Sequence, residues 1–104
     1  MRRAARIDAN QPEIVAALRK AGATVTSLAA VGQGVPDLLV GWQSRTGDRE
    51  LVLMEVKDGA KPPSRRRLTE DQQEWHAEWR GRPVAIVESV EDALAVIGVE
   101  VPHG

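Results

Sequence analysis

A mixed α/β domain is what this sequence predicts, in the order helix, strand, strand, strand, helix, strand, helix. Three observations point there. Ile14, Ala17, Leu18 and Ala21 recur at the spacing of one helix face. Leu38-Leu39-Val40 and Leu51-Val52-Leu53-Met54 are short apolar runs bounded by turn residues, the mark of buried strands. Thr69 and Ser89 stand where helix N-caps belong, with a further short apolar run between their helices. A mixed four-stranded sheet flanked by helices follows from that order.

Residues 1–9, with Arg2, Arg3 and Arg6, read as a basic arm. Asn10 is a good N-cap for the first helix, with Pro12 in the first turn, Glu13 at the capping-box position and Gly22 as the stop. Ala23 to Leu28, with Val25 and β-branched threonines, reads as the first strand, and Gly32-Gln33-Gly34 as a flexible loop. Asp37 to Trp42 forms the second strand and Glu50 to Lys57 the third, whose nearly continuous apolar run gives it a central place. The polar segment between them predicts a hairpin turning near Thr46-Gly47-Asp48. Asp58 to Arg67, with Gly59, Pro62 and Pro63, is an irregular loop. Thr69 caps the second helix, with Gln72 at the box position, and that helix carries Trp75 and Trp79 to the neighbourhood of Gly81. Pro83 to Val87 is the fourth strand, and Ser89 caps a third helix reaching toward Ile97. No repeat or linker divides the chain, and 104 residues make one domain, 1–104.

Strand side chains alternate, so Glu55 and Lys57 share a face of the sheet. Burying a carboxylate and an ammonium there is costly unless they pair or bind something. Antiparallel register places Asp37 opposite roughly residue 56. Two carboxylates and a lysine then meet at one end of a hairpin, a place for a divalent metal and a scissile phosphate. Magnesium suits it, because that ion keeps several waters and needs only one or two carboxylates plus phosphate. Asp37 and Glu55 supply the carboxylates, the Val56 carbonyl could add an oxygen, and Mn²⁺ would substitute. Lys57 could orient the attacking water or offset phosphate charge, Glu13 could hold a metal-bound water, and Gln72 could orient Lys57 or touch a phosphate.

The net charge of −1 offers nucleic acid no bulk attraction, but the charge is unevenly spread. Lys57, Lys61, Arg65, Arg66 and Arg67 lie close together, opposed there by Asp58, while acidic residues concentrate from Glu70 to Asp92. The basic loop directly follows the candidate site and would grip a nucleic-acid backbone in a salt-sensitive way. Plainer readings stand beside these. Asp37, Glu55 and Lys57 also fit a structural ion pair, Glu13 a box partner of Asn10, Gln72 a box partner of Thr69, and the arginines a solvated loop. Gln72 does share a helical stripe with Leu68, Trp75 and Trp79. Trp75 and Trp79 read as core or dimer-interface residues, Trp42 as the more open case, and His76 as an exposed lone histidine. With His103 it lacks the spacing of a zinc site. Without cysteine there is no disulfide and no thiol nucleophile. No apolar h-region follows the basic start and no run would span a membrane, so the expected compartment is cytoplasmic.

Pro36-Asp37, Glu55-Val56-Lys57, the acidic Glu13 on the first helix and Leu68-Thr69-Glu70-Asp71-Gln72 together resemble the PD-(D/E)XK nuclease superfamily. Within it, the chain looks like the virus-type replication-repair nuclease (VRR-NUC) family. Val84-Ala85-Ile86-Val87 followed by Ser89-Val90-Glu91-Asp92-Ala93-Leu94 is similar to that family's closing strand and helix, so the likeness runs from residue 10 to residue 97. It implies a restriction-endonuclease-like core, with metal on the residues matching Asp37 and Glu55, catalysis by that matching Lys57, and Glu13 and Gln72 completing the site. The implied activity is metal-dependent endonucleolytic cleavage of DNA, structure-selective on branches or junctions, by a homodimer. A non-cleaving DNA-binding accessory domain and a plain α/β interaction module are the competing expectations.

Overall fold

The computed structural model describes residues 7–100; the arginines of the basic arm and His103 lie outside them. Helix α1 (Gln11–Lys20) leads into strands β1 (Thr24–Ser27), β2 (Leu38–Gln43) and β3 (Arg49–Val56). Helix α2 (Glu70–Glu78), strand β4 (Ala85–Val87) and helix α3 (Val90–Val96) follow. A short 3-10 turn at Pro63–Arg65 punctuates the loop before α2. The strands form a mixed four-stranded sheet in the order β1-β2-β3-β4, antiparallel from β1 to β3 and parallel between β3 and β4. The expected order of elements is the observed one, and β3 lies inside the sheet as its apolar run requires. No helix among the described residues is long and apolar enough to cross a membrane.

The β2–β3 hairpin turns on Ser44–Gly47. Gly47 donates its N–H to the Ser44 carbonyl at 2.9 Å and takes a φ of 90°, which glycine reaches without strain. That turn sets the register, with Leu38 facing Met54 and Trp42 facing Glu50. Extended by one residue, it places Asp37 across from Glu55, one position from the residue 56 that the spacing predicts.

Alternation then sorts the sheet into two faces. Val25, Leu38, Val40, Val52, Met54, Val56 and Val87 form one, sealed by Ile14 and Leu18 of α1 and by Ala93 and Leu94 of α3. Leu51, Leu53, Glu55 and Lys57 alternate to the other, where α2 reaches the Glu55 end.

Two local expectations are corrected. Asn10 does not cap α1: its dihedrals are already helical (φ −84°, ψ −7°), and no box with Glu13 forms. Its Nδ2 instead donates to the carbonyls of Lys57 and Glu88, each at 3.1 Å, fastening α1 to the ends of β3 and β4. Gly32-Gln33-Gly34 lies in a loop, as expected, and runs through three consecutive left-handed residues (φ 70°, 57° and 82°). Gly34 lies against the Asp71 backbone carbonyl, where any Cβ would collide. Thr69 and Gln72 do complete the box at the start of α2, whereas Trp79 is already extended (φ −65°, ψ 126°), so α2 stops short of Gly81.

Candidate functional site

Asp37 enters the site from a fixed turn: Gly34 presses on α2 and Pro36 is almost fully buried. Its Oδ2 accepts the Val56 N–H at 2.7 Å, which holds the carboxylate at the end of β3. Glu55 beside it is 1% exposed. Burial, a hydrogen bond shared with Asp37 and the Asp37 charge push the Glu55 carboxyl up to about 9 from an ordinary 4.5. The Lys57 ammonium pulls the other way, and Asp8 adds to the rise. At neutral pH Glu55 therefore keeps its proton, because burial and the neighbouring carboxylate both oppose its ionisation.

Lys57, 8% exposed, faces the same way, yet forms no ion pair with Glu55 among the described residues. Gln72 stands between them. Its Oε1 accepts Lys57 Nζ at 2.8 Å and the Thr69 N–H at 2.8 Å, and its Nε2 donates to Glu55 Oε2 at 3.2 Å. The ammonium and the backbone N–H can only donate, so the partners themselves fix which end of the amide is oxygen. One side chain both closes the capping box and bridges the acid and the cation of the site.

His76 corrects the expectation of an exposed histidine. Its side chain is 15% exposed, and Nε2 lies 3.3 Å from Glu55 Oε1. Burial and the Lys57 charge lower its pKa from 6.5, so the contact at neutral pH is a hydrogen bond and not an ion pair. The signal was in the spacing: residue 76 follows residue 72 by four, one turn along the same face.

The remaining candidates fall less centrally. Glu13 is exposed and lines a groove with Asn10, Asp58, Glu88 and Glu91, away from the acid pair; Asp8 is the N-terminal carboxylate whose charge Glu55 feels. Val56 meets Asp37 through its N–H. In the basic loop, Lys61 pairs with Asp8 at 3.4 Å and Arg66 with Glu88 at 2.8 Å. Arg65 and Arg67 are exposed and carry no ion pair among the described residues. Trp75 and Trp79 stack on each other with centroids 5.0 Å apart and lie outside the core, contrary to a core role. Trp42 packs against the core from the end of β2, with the Arg82 guanidinium 5.3 Å above its ring.

No family model matches this chain, and no curated protein or solved structure matches it either.

Proposed function

We propose that this chain is a Mg²⁺-dependent endodeoxyribonuclease with a restriction-endonuclease-like core, of the VRR-NUC type within the PD-(D/E)XK superfamily. The observation that carries the reading is the buried Glu55 carboxyl, its ionisation opposed by burial and by the half-buried Asp37 beside it, with Lys57 on the same face. A buried carboxyl group beside a second carboxylate calls for a positive charge, and a divalent cation is a group that would take the place of the Glu55 proton. Among the described residues no three Asp, Glu or His side chains converge as a complete ligand set. Two carboxylates suit an ion that keeps most of its water and takes its remaining ligands from substrate phosphate, as Mg²⁺ does and Mn²⁺ would.

Asp37 and Glu55 would hold the ion, with the Val56 carbonyl as a further oxygen. When bound, it supplies an activated water and offsets charge on the phosphate and the leaving oxygen. Lys57 is held by Gln72 close to that point, where its ammonium can orient the water or meet a phosphate oxygen. The exposed Arg65 and Arg67, with Lys61 and Arg66 behind their acidic partners, would contact the DNA backbone without reading sequence. Branched or junction DNA is the favoured substrate, and a homodimer supplies the two sites that symmetric cutting needs.

The test is cleavage of branched, flapped and linear DNA with and without Mg²⁺, by the wild type, Asp37→Ala and Lys57→Ala. The expected result is metal-dependent cutting by the wild type, with each variant slower by about 100-fold or more while still binding DNA. Binding with no cleavage on any substrate favours the accessory-domain reading. Neither binding nor cutting favours the interaction module.

A further inference from the structure

We propose that His76 is a positioning residue for Glu55, fixing the plane of the carboxylate that the proposed metal site would use; the inference rests on that reading. Two contacts from one helix clamp this carboxyl group. Gln72 Nε2 reaches Oε2 at 3.2 Å, and His76 Nε2 reaches Oε1 at 3.3 Å from one turn further along α2. The terminal torsion of a glutamate is broad. Beside the hydrogen bond shared with Asp37, the two α2 contacts fix which way the group turns, and of these His76 alone reaches Oε1. The nearest cation on that face is Lys57, the partner toward which an unclamped carboxylate would turn. Gln72 occupies the space between the two, and His76 pins the opposite oxygen.

The clamp is itself supported. The capping box at Thr69 anchors the start of α2, and the Trp75 ring meets the His76 ring edge-on with centroids 6.4 Å apart. A histidine that only filled space would be replaceable by any ring. A positioning histidine needs its nitrogen.

Isothermal titration of Mn²⁺ into the full chain without DNA separates these roles, because metal affinity is read apart from catalysis. His76→Phe keeps a ring and removes the nitrogen, while His76→Gln gives up the ring and offers a polar amide. His76→Phe should bind Mn²⁺ about 10-fold more weakly or worse, with His76→Gln recovering most of that loss. Urea unfolding of the metal-free variants checks that each is folded, and His76→Ala replaces the Phe variant should the larger ring not fit. Wild-type affinity in His76→Phe, or an equal loss in His76→Gln, overturns the positioning role and leaves the nuclease reading standing. A wild type that binds no Mn²⁺ overturns both.

Discussion

The two faces of the sheet are made from alternate residues of the same strands, yet they are finished differently. On one, Val52, Met54 and Val56 meet Ile14, Leu18, Ala93 and Leu94, and the contact is apolar throughout. On the other, one residue along in each case, Leu53 gives way to Glu55 and Lys57, and α2 covers them with an amide and an imidazole. The first face is complete in itself. The second holds a buried, protonated Glu55 beside Asp37, joined to Lys57 through Gln72. What stabilises the fold and what would do chemistry are separated by the alternation of a single strand.

The two faces differ most sharply between neighbouring residues of β3. Met54→Ala should cost about 2–5 kcal/mol in urea unfolding, because it opens a cavity in the sealed face. Glu55→Gln, one residue on, should leave the metal-free protein no less stable at neutral pH, since the native carboxyl is already protonated. A comparable loss at both positions would erase the distinction between the faces. Gly34→Ala should cost about 1–3 kcal/mol by the same measurement, from its left-handed φ alone, and more from collision with Asp71. Smaller still, Thr69→Ala should remove about 1 kcal/mol through the lost cap, and loosen the Gln72 link to Glu55 and Lys57.

Much of the fold was legible in the sequence because its signals are local. Apolar runs, turn residues and caps at Thr69 and Ser89 act over a few positions, and the element order follows from them. The shared face of Glu55 and Lys57 was legible too, since strand alternation is fixed by spacing, whereas the hairpin register came out one residue off, with Asp37 across from Glu55 and not residue 56. The rest depended on tertiary contact. Asn10 has the right identity for a cap, but the carbonyls of Lys57 and Glu88 compete for its side chain from strands far along the chain. Glu13 has the right charge and helix, but α1 is rotated so that it faces the groove beside Glu88. His76 looked solitary because its partner, Glu55, is distant in sequence. Of the core and dimer-interface readings of Trp75 and Trp79, the core one fails: they stack on each other outside it.

The Glu55 carboxyl carries its proton at the position proposed for a divalent cation, and stability against pH tests this most directly. In the folded protein Glu55 keeps its proton up to about 9, while the unfolded chain releases it near 4.5. Between those values the folded state binds more protons, so stability should fall as pH rises, and level off above the upper one. Unfolding should be followed with and without excess Mg²⁺, in the wild type and Glu55→Gln. The wild type should lose stability with rising pH and regain it on adding Mg²⁺, while Glu55→Gln shows neither the Glu55 slope nor the metal response. A wild-type profile that is flat across this range and indifferent to Mg²⁺ would contradict the account.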